Sequence, residues 1–118
     1  MGKIYTNESQ ILLQQLIEIY KPTIYDWLSY QITKQNKLTI HHVDEKSEGG
    51  KLQVDNAALL TKKSHRALNM CESRDVYLYC LINEFFHEII EHKAPLSPEL
   101  EEESREYKQA LTRVLYKK

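Results

Sequence analysis

The side chains able to do chemistry are concentrated in one stretch, residues 41–69, HHVDEKSEGGKLQVDNAALLTKKSHRALN. His41 and His42 are adjacent, and Gly49-Gly50, Asn56, His65 and Asn69 follow in order. An imidazole can hold a metal, and its ordinary pKa of about 6.5 also makes a neutral base available at physiological pH. Successive strand residues point to opposite sides of the backbone, so two adjacent histidines can serve different roles. His65 and Asn69 stand four apart, and a helix stacks such a pair on one face. A strand residue and a helix face can then converge on one ion, provided the strand and helix pack together. The loop between them must fold back tightly. Gly49-Gly50 allows the positive φ angles such a turn needs. Asn56 can bond backbone groups across the loop and hold it shut.

The elements that must position these residues are legible in the periodicity. Residues 8–20 carry Ile11, Leu12, Leu16, Ile17, Ile19 and Tyr20 on one broad face, which predicts a helix. Asn7 or Ser9 can cap its start, and Pro22 ends it. A second helix is expected from about Thr23 to Gln35, with Ile24, Trp27, Leu28 and Ile32 inward. Residues 37–43, KLTIHHV, are short, alternating and β-branched, and read as a strand. Residues 44–56 read as a polar loop with a sharp turn. Residues 57–61 form a short apolar run, either a second strand or the approach to a helix. A helix is expected from about Lys62 to Met70. Ser73 or Asp75 can cap the next, which runs towards Pro95. The last starts at Ser97 and Pro98 with acidic residues near its positive end.

In order and context, residues 37–70 resemble the HNH nuclease motif, a ββα-metal module. That family shows a His pair at the end of a strand, a Gly-Gly turn, a central Asn, a short second strand and a helix bearing His-x-x-x-His or His-x-x-x-Asn. The resemblance implies an α+β, mostly helical single domain over residues 1–118. A small two-stranded antiparallel hairpin would pack on a helix, between flanking helices at about 8–35 and 74–117. It implies roles as well. His41 and His65 would be metal ligands, and Asn69 a third ligand, direct or through water. His42 would be the general base that takes a proton from the attacking water. Asn56, grouped with His42 in the catalytic set, would be the structural asparagine and do no chemistry itself. The cofactor would be one divalent metal ion, and mixed N/O ligation is compatible with Mg²⁺, Mn²⁺, Ni²⁺ or Zn²⁺. Lys62, Lys63 and Arg66 sit at a helix start, where phosphate also meets backbone N–H groups, and would contact nucleic acid. The implied activity is hydrolysis of phosphodiester bonds in DNA, leaving 5′-phosphate and 3′-hydroxyl ends. Small nucleases of this kind often serve phage or bacterial defence. Three features depart from the pattern: Asp44-Glu45-Lys46 stands where a proline is common, the last position is Asn69, and the structural cysteine pairs of many relatives are missing.

Composition narrows the rest. The chain has 118 residues, enough for one domain with a real core. A net charge of −1 argues against coating nucleic acid through bulk charge. Residues 34–75 are mildly basic, with eight Lys/Arg against six Asp/Glu, and the C-terminal part is acidic. No recognisable DNA-reading module is present, so specificity is expected to be low or supplied by a protein partner, with double-stranded DNA as substrate. Cys71 and Cys80 form no C-x-x-C pair, which excludes a cysteine zinc ribbon, and both are expected in the core. No signal h-region and no run of 18 apolar residues occurs, so a cytoplasmic protein without a membrane span is expected. Trp27, Phe85, Phe86 and most tyrosines read as core by spacing. Glu84-x-x-His87 matches half of a di-iron helix motif, but no second copy exists. Taken singly, His41 and His42 would be ordinary strand residues, and Lys62, Lys63 and Arg66 a solvated helix face. The alternatives to a nuclease are therefore an HNH-fold binding adaptor without strong catalysis, and a helical interaction protein.

Overall fold

In the first helix, α1 (Asn7–Tyr20), Leu12, Leu16 and Tyr20 are spaced four apart and are buried as one stripe. It ends where Lys21 turns left-handed at φ 47°, just before Pro22. The computed structural model describes residues 7–44 and 53–116. The Gly49-Gly50 turn expected from the sequence lies outside the described residues.

No helix follows between residues 23 and 35, contrary to the periodicity. The segment folds into bridged turns, pairing Tyr25 with Gln31 and Thr33 with Asn36. The Asp26 carboxylate competes with helical bonding: its Oδ1 accepts from the backbone N–H groups of Leu28 (2.8 Å) and Tyr30 (3.0 Å). Ser29 takes a left-handed φ of 66°. Trp27 and Leu28 still reach the core, but Ile24 is exposed.

Strands β1 (Leu38–His42) and β2 (Ala57–Thr61) form the two-stranded antiparallel sheet, in a register that sets Leu38 against Thr61 and His42 against Ala57. Every residue of β2 is buried, as its unbroken apolar run requires. A short 3₁₀ turn, Val54–Asn56, leads into it. Helix α2 (Lys62–Arg74) follows at once, with Thr61 as its N-cap. It runs one turn beyond the expected end and buries Ser64, Ala67, Leu68 and Cys71.

Helix α3 (Val76–His92) is capped by the Asp75 side chain, which accepts from Leu78 N–H at 3.1 Å. Helix α4 (Pro98–Leu115) starts as the sequence signals, with Ser97 as cap and Pro98 in the first turn. Phe85 and Phe86 from α3 join Trp27, Leu59, Leu60 and Leu68 in the core. The structure is thus an α+β fold, four helices around one small hairpin. Cys71 is buried and its thiol is pushed up to about 11, first by burial and then by Asp75, so it is inert. Cys80, against expectation, is exposed, as are Tyr25, Tyr77 and Tyr116. Among the described residues, no helix is long and apolar enough to cross a membrane.

Candidate active site

The hairpin and α2 bring two of the expected residues together. His41, buried near the end of β1, meets His65 in the second turn of α2 with ring centroids 5.5 Å apart and planes at 82°. Two imidazoles sharing an ion through nitrogens at ~2.1 Å place their centroids roughly 5–6 Å apart. The pair therefore fits a divalent ion in spacing. Phe86 lies edge-on to His41 at 5.7 Å and forms an apolar wall.

Hydrogen bonds bear on the tautomer of both rings. An amide oxygen can only accept, so the 3.0 Å contact between His41 Nε2 and Asn83 Oδ1 is satisfied when His41 carries its proton on Nε2. His65 Nδ1 lies 3.0 Å from the Thr39 hydroxyl. Burial lowers the His65 pKa below the usual imidazole range, which favours the neutral, ligand-competent ring.

Other expected residues stand further out. Asn69 is exposed on α2 and makes no side-chain hydrogen bond among the described residues. Among the described residues, no three of His, Cys, Asp and Glu gather as a metal cluster. Two imidazoles thus meet, with the Asn83 amide against His41 and the Thr39 hydroxyl against His65. His42, the next residue on β1, has an Nε2 that is buried and has no hydrogen-bond partner among the described residues. The Tyr20 hydroxyl and the Trp27 Nε1 share that state.

Asn56 is buried and grips the backbone of Asp44 from both sides: its Oδ1 accepts from Asp44 N–H at 2.6 Å and its Nδ2 donates to Asp44 O at 2.9 Å. The backbone carbonyl of Asn56 also accepts from Val43 N–H at 3.2 Å. These bonds pin the chain just after the His pair to the entry of β2. Asn56→Ala removes both side-chain bonds and leaves the Asp44 groups unpaired. It is expected to cost about 2–3 kcal/mol in urea unfolding, and a loss below about 0.5 kcal/mol, the scale of an ordinary surface change, would show that the clamp does not hold the loop.

Lys62, Lys63 and Arg66 are exposed at the start of α2. The backbone there does not offer the N–H groups expected for phosphate. Lys62 N–H donates to Lys37 O (3.0 Å), Lys63 N–H to Asn36 Oδ1 (2.9 Å) and Ser64 N–H to Thr61 Oγ1 (3.3 Å). Any anion contact at this end belongs to the side chains.

Sequence reasoning missed what α3 contributes. Asn83 and His87 are four apart and reach the same end of the hairpin, Asn83 to His41 and His87 Nε2 to Asp44 Oδ1 at 3.1 Å. Their signal was a lone amide in the apolar run LINEFF and the i, i+4 spacing to His87. Thr39 was also missed, although its position two before His41 puts it on the same strand face.

A strand hairpin packed on a helix, with a histidine from each meeting near the Asp44 backbone that Asn56 holds, has the ββα arrangement that the sequence resemblance implies. Residues 29–69 match the family model described as HNH endonuclease, the same segment in which the resemblance lies. No curated protein and no solved structure matches the chain.

Proposed function

We propose that this protein is a metal-dependent HNH endonuclease that hydrolyses phosphodiester bonds in double-stranded DNA. The observation that carries the reading is the meeting of His41 and His65 within the segment that matches the family. In this reading His41 and His65 hold one divalent ion, with Asn69 as a third or water-mediated ligand. When bound, such an ion supplies charge stabilisation at the phosphate and the leaving 3′ oxygen. His42 accepts the proton of the attacking water. Asn56 does no chemistry and keeps the end of β1 in place. Lys62, Lys63 and Arg66 draw the phosphate backbone to the mouth of the site through their side chains. The products carry 5′-phosphate and 3′-hydroxyl ends. Substrate specificity is low or comes from a protein partner, and the setting is the cytoplasm of a system such as phage or bacterial defence.

The test is plasmid nicking with Mg²⁺, Mn²⁺, Ni²⁺ or Zn²⁺, with and without chelator. Nicking is expected with at least one ion, abolished by chelator, and lost with His65→Ala. Nicks sealed directly by ligase would establish the end chemistry. One observation favours a second reading, a catalytically weak adaptor: Asn69 is exposed and no third ionisable ligand joins the histidine pair among the described residues. Binding of DNA without cleavage under every ion would select it.

A further inference from the structure

The Thr39 side chain makes two contacts that bear on its neighbour's tautomer. Its hydroxyl donates to Leu60 O across the hairpin at 2.8 Å. A hydroxyl has one proton, so the same oxygen can only accept at its second contact. That contact is His65 Nδ1 at 3.0 Å. With the hydroxyl proton on Leu60 O, the arrangement that satisfies both contacts has the ring donating from Nδ1, with its lone pair on Nε2. Thr39 is well built for the task. Its χ1 is restricted by β-branching, and its backbone is set directly opposite Leu60 in the sheet register. The Leu60 carbonyl thus orients the hydroxyl, and the hydroxyl orients the imidazole.

We propose that Thr39 is the positioning residue for His65: it fixes the Nδ1–H tautomer and so commits Nε2 to the metal. The proposal rests on His65 being a ligand, as argued above. Histidine in water favours the opposite tautomer, with the proton on Nε2. Without Thr39, an ion must compete with that proton and also order a freer ring. Groups of this kind behind a ligand histidine typically change metal affinity by about 10–100-fold. The carbonyl-to-hydroxyl-to-imidazole relay also explains why a polar β-branched residue stands on this strand face beside His41.

The experiment uses the whole chain as wild type, Thr39→Val and Thr39→Ser. Long-range ¹H–¹⁵N spectra of the metal-free protein, above the imidazole titration range, read the His65 tautomer directly. Calorimetric titration with Ni²⁺ alone reads ion affinity. Wild type is expected to show Nδ1–H. Thr39→Val, which keeps the shape but lacks the acceptor, is expected to move His65 towards Nε2–H and weaken Ni²⁺ about 10–100-fold. Thr39→Ser is expected to restore both, a rescue that a merely structural role for the threonine would not produce. A wild-type ring found as Nε2–H overturns the inference, and this measurement holds even if the valine variant does not fold. Nε2–H with Ni²⁺ still bound removes only the role of Thr39 and leaves the nuclease reading standing. Nδ1–H in a protein that binds no ion overturns the reading of His65 as a ligand, and the directing role with it.

Discussion

His42→Ala is expected to slow plasmid nicking by about 10²–10⁴, the usual worth of a general base, while leaving ion affinity within error of wild type. The separation follows from the strand. His41 and His42 are adjacent on β1 but pair with different partners, Ala58 and Ala57, and point to opposite faces. His41 looks towards α2 and α3, where His65 and Asn83 meet it. His42 lies on the other face, and its Nε2 has no hydrogen-bond partner among the described residues. A base must keep a lone pair for the proton of water. A ligand must give its lone pair to the ion. His41→Ala is therefore expected to fail differently, losing Ni²⁺ or Mn²⁺ affinity first and recovering part of its activity when the ion is raised. Titrating both variants with each ion during nicking separates the two roles. If His42→Ala cuts like wild type, or is restored merely by more metal, the assignment of the base is wrong.

The parts of the fold set by local rules were legible in the residues. The caps at Asp75 and Ser97 sit where a short acceptor side chain precedes an apolar period, and both accept the expected backbone N–H. The first strand was legible in its β-branched alternation, whereas the short apolar run at residues 57–61 fits a strand or the approach to a helix, and its pairing with residues 38–42 makes it a strand. The meeting of His41 and His65 was foreshadowed by spacing, since a strand residue and a helix face had to converge. What was not legible depends on contacts made at long range. The stretch from residue 23 to 35 has helical periodicity, yet the bonds that override it come from Asp26, whose other oxygen is held by residues more than thirty positions away. Asn83 and His87 could not be assigned to the site until α3 was seen to pack beside β1. The backbone N–H groups opening α2 were expected to be available to phosphate. They are consumed by Asn36 and Lys37, a partnership no local pattern announces.

Asp26→Ala is expected to destabilise the fold by about 3–5 kcal/mol, since each donor left unpaired in the interior costs roughly 1–3 kcal/mol and the losses at one carboxylate are not additive. Asp26 is buried and accepts four hydrogen bonds. Oδ1 closes the turn through Leu28 and Tyr30. Oδ2 accepts from Thr61 N–H at 2.7 Å and from the Ser64 hydroxyl at 2.6 Å. The carboxylate therefore ties the irregular segment before β1 to the junction where β2 becomes α2. His65 is the residue immediately after Ser64, so the same carboxylate sets where the helical histidine begins. Asp26→Asn sharpens the test. Its amide oxygen can replace Oδ1, but its NH₂ then faces the Thr61 N–H, donor against donor. The Ser64 hydroxyl can rotate to accept, while the backbone N–H cannot, so the loss is expected to be smaller than for alanine but still well above 1 kcal/mol on the scale of a single unpaired buried group. Trp27, the one tryptophan, is buried beside Asp26 in the chain, and its fluorescence follows urea unfolding directly. A domain of ordinary stability, about 5–15 kcal/mol, would lose a large fraction with the alanine change, and Ni²⁺ affinity is expected to fall with it as the start of α2 loosens. A shift under about 1 kcal/mol, the size of an average single substitution, together with unchanged ion affinity, would mean that α2 is held by its packing against the core and not by this carboxylate.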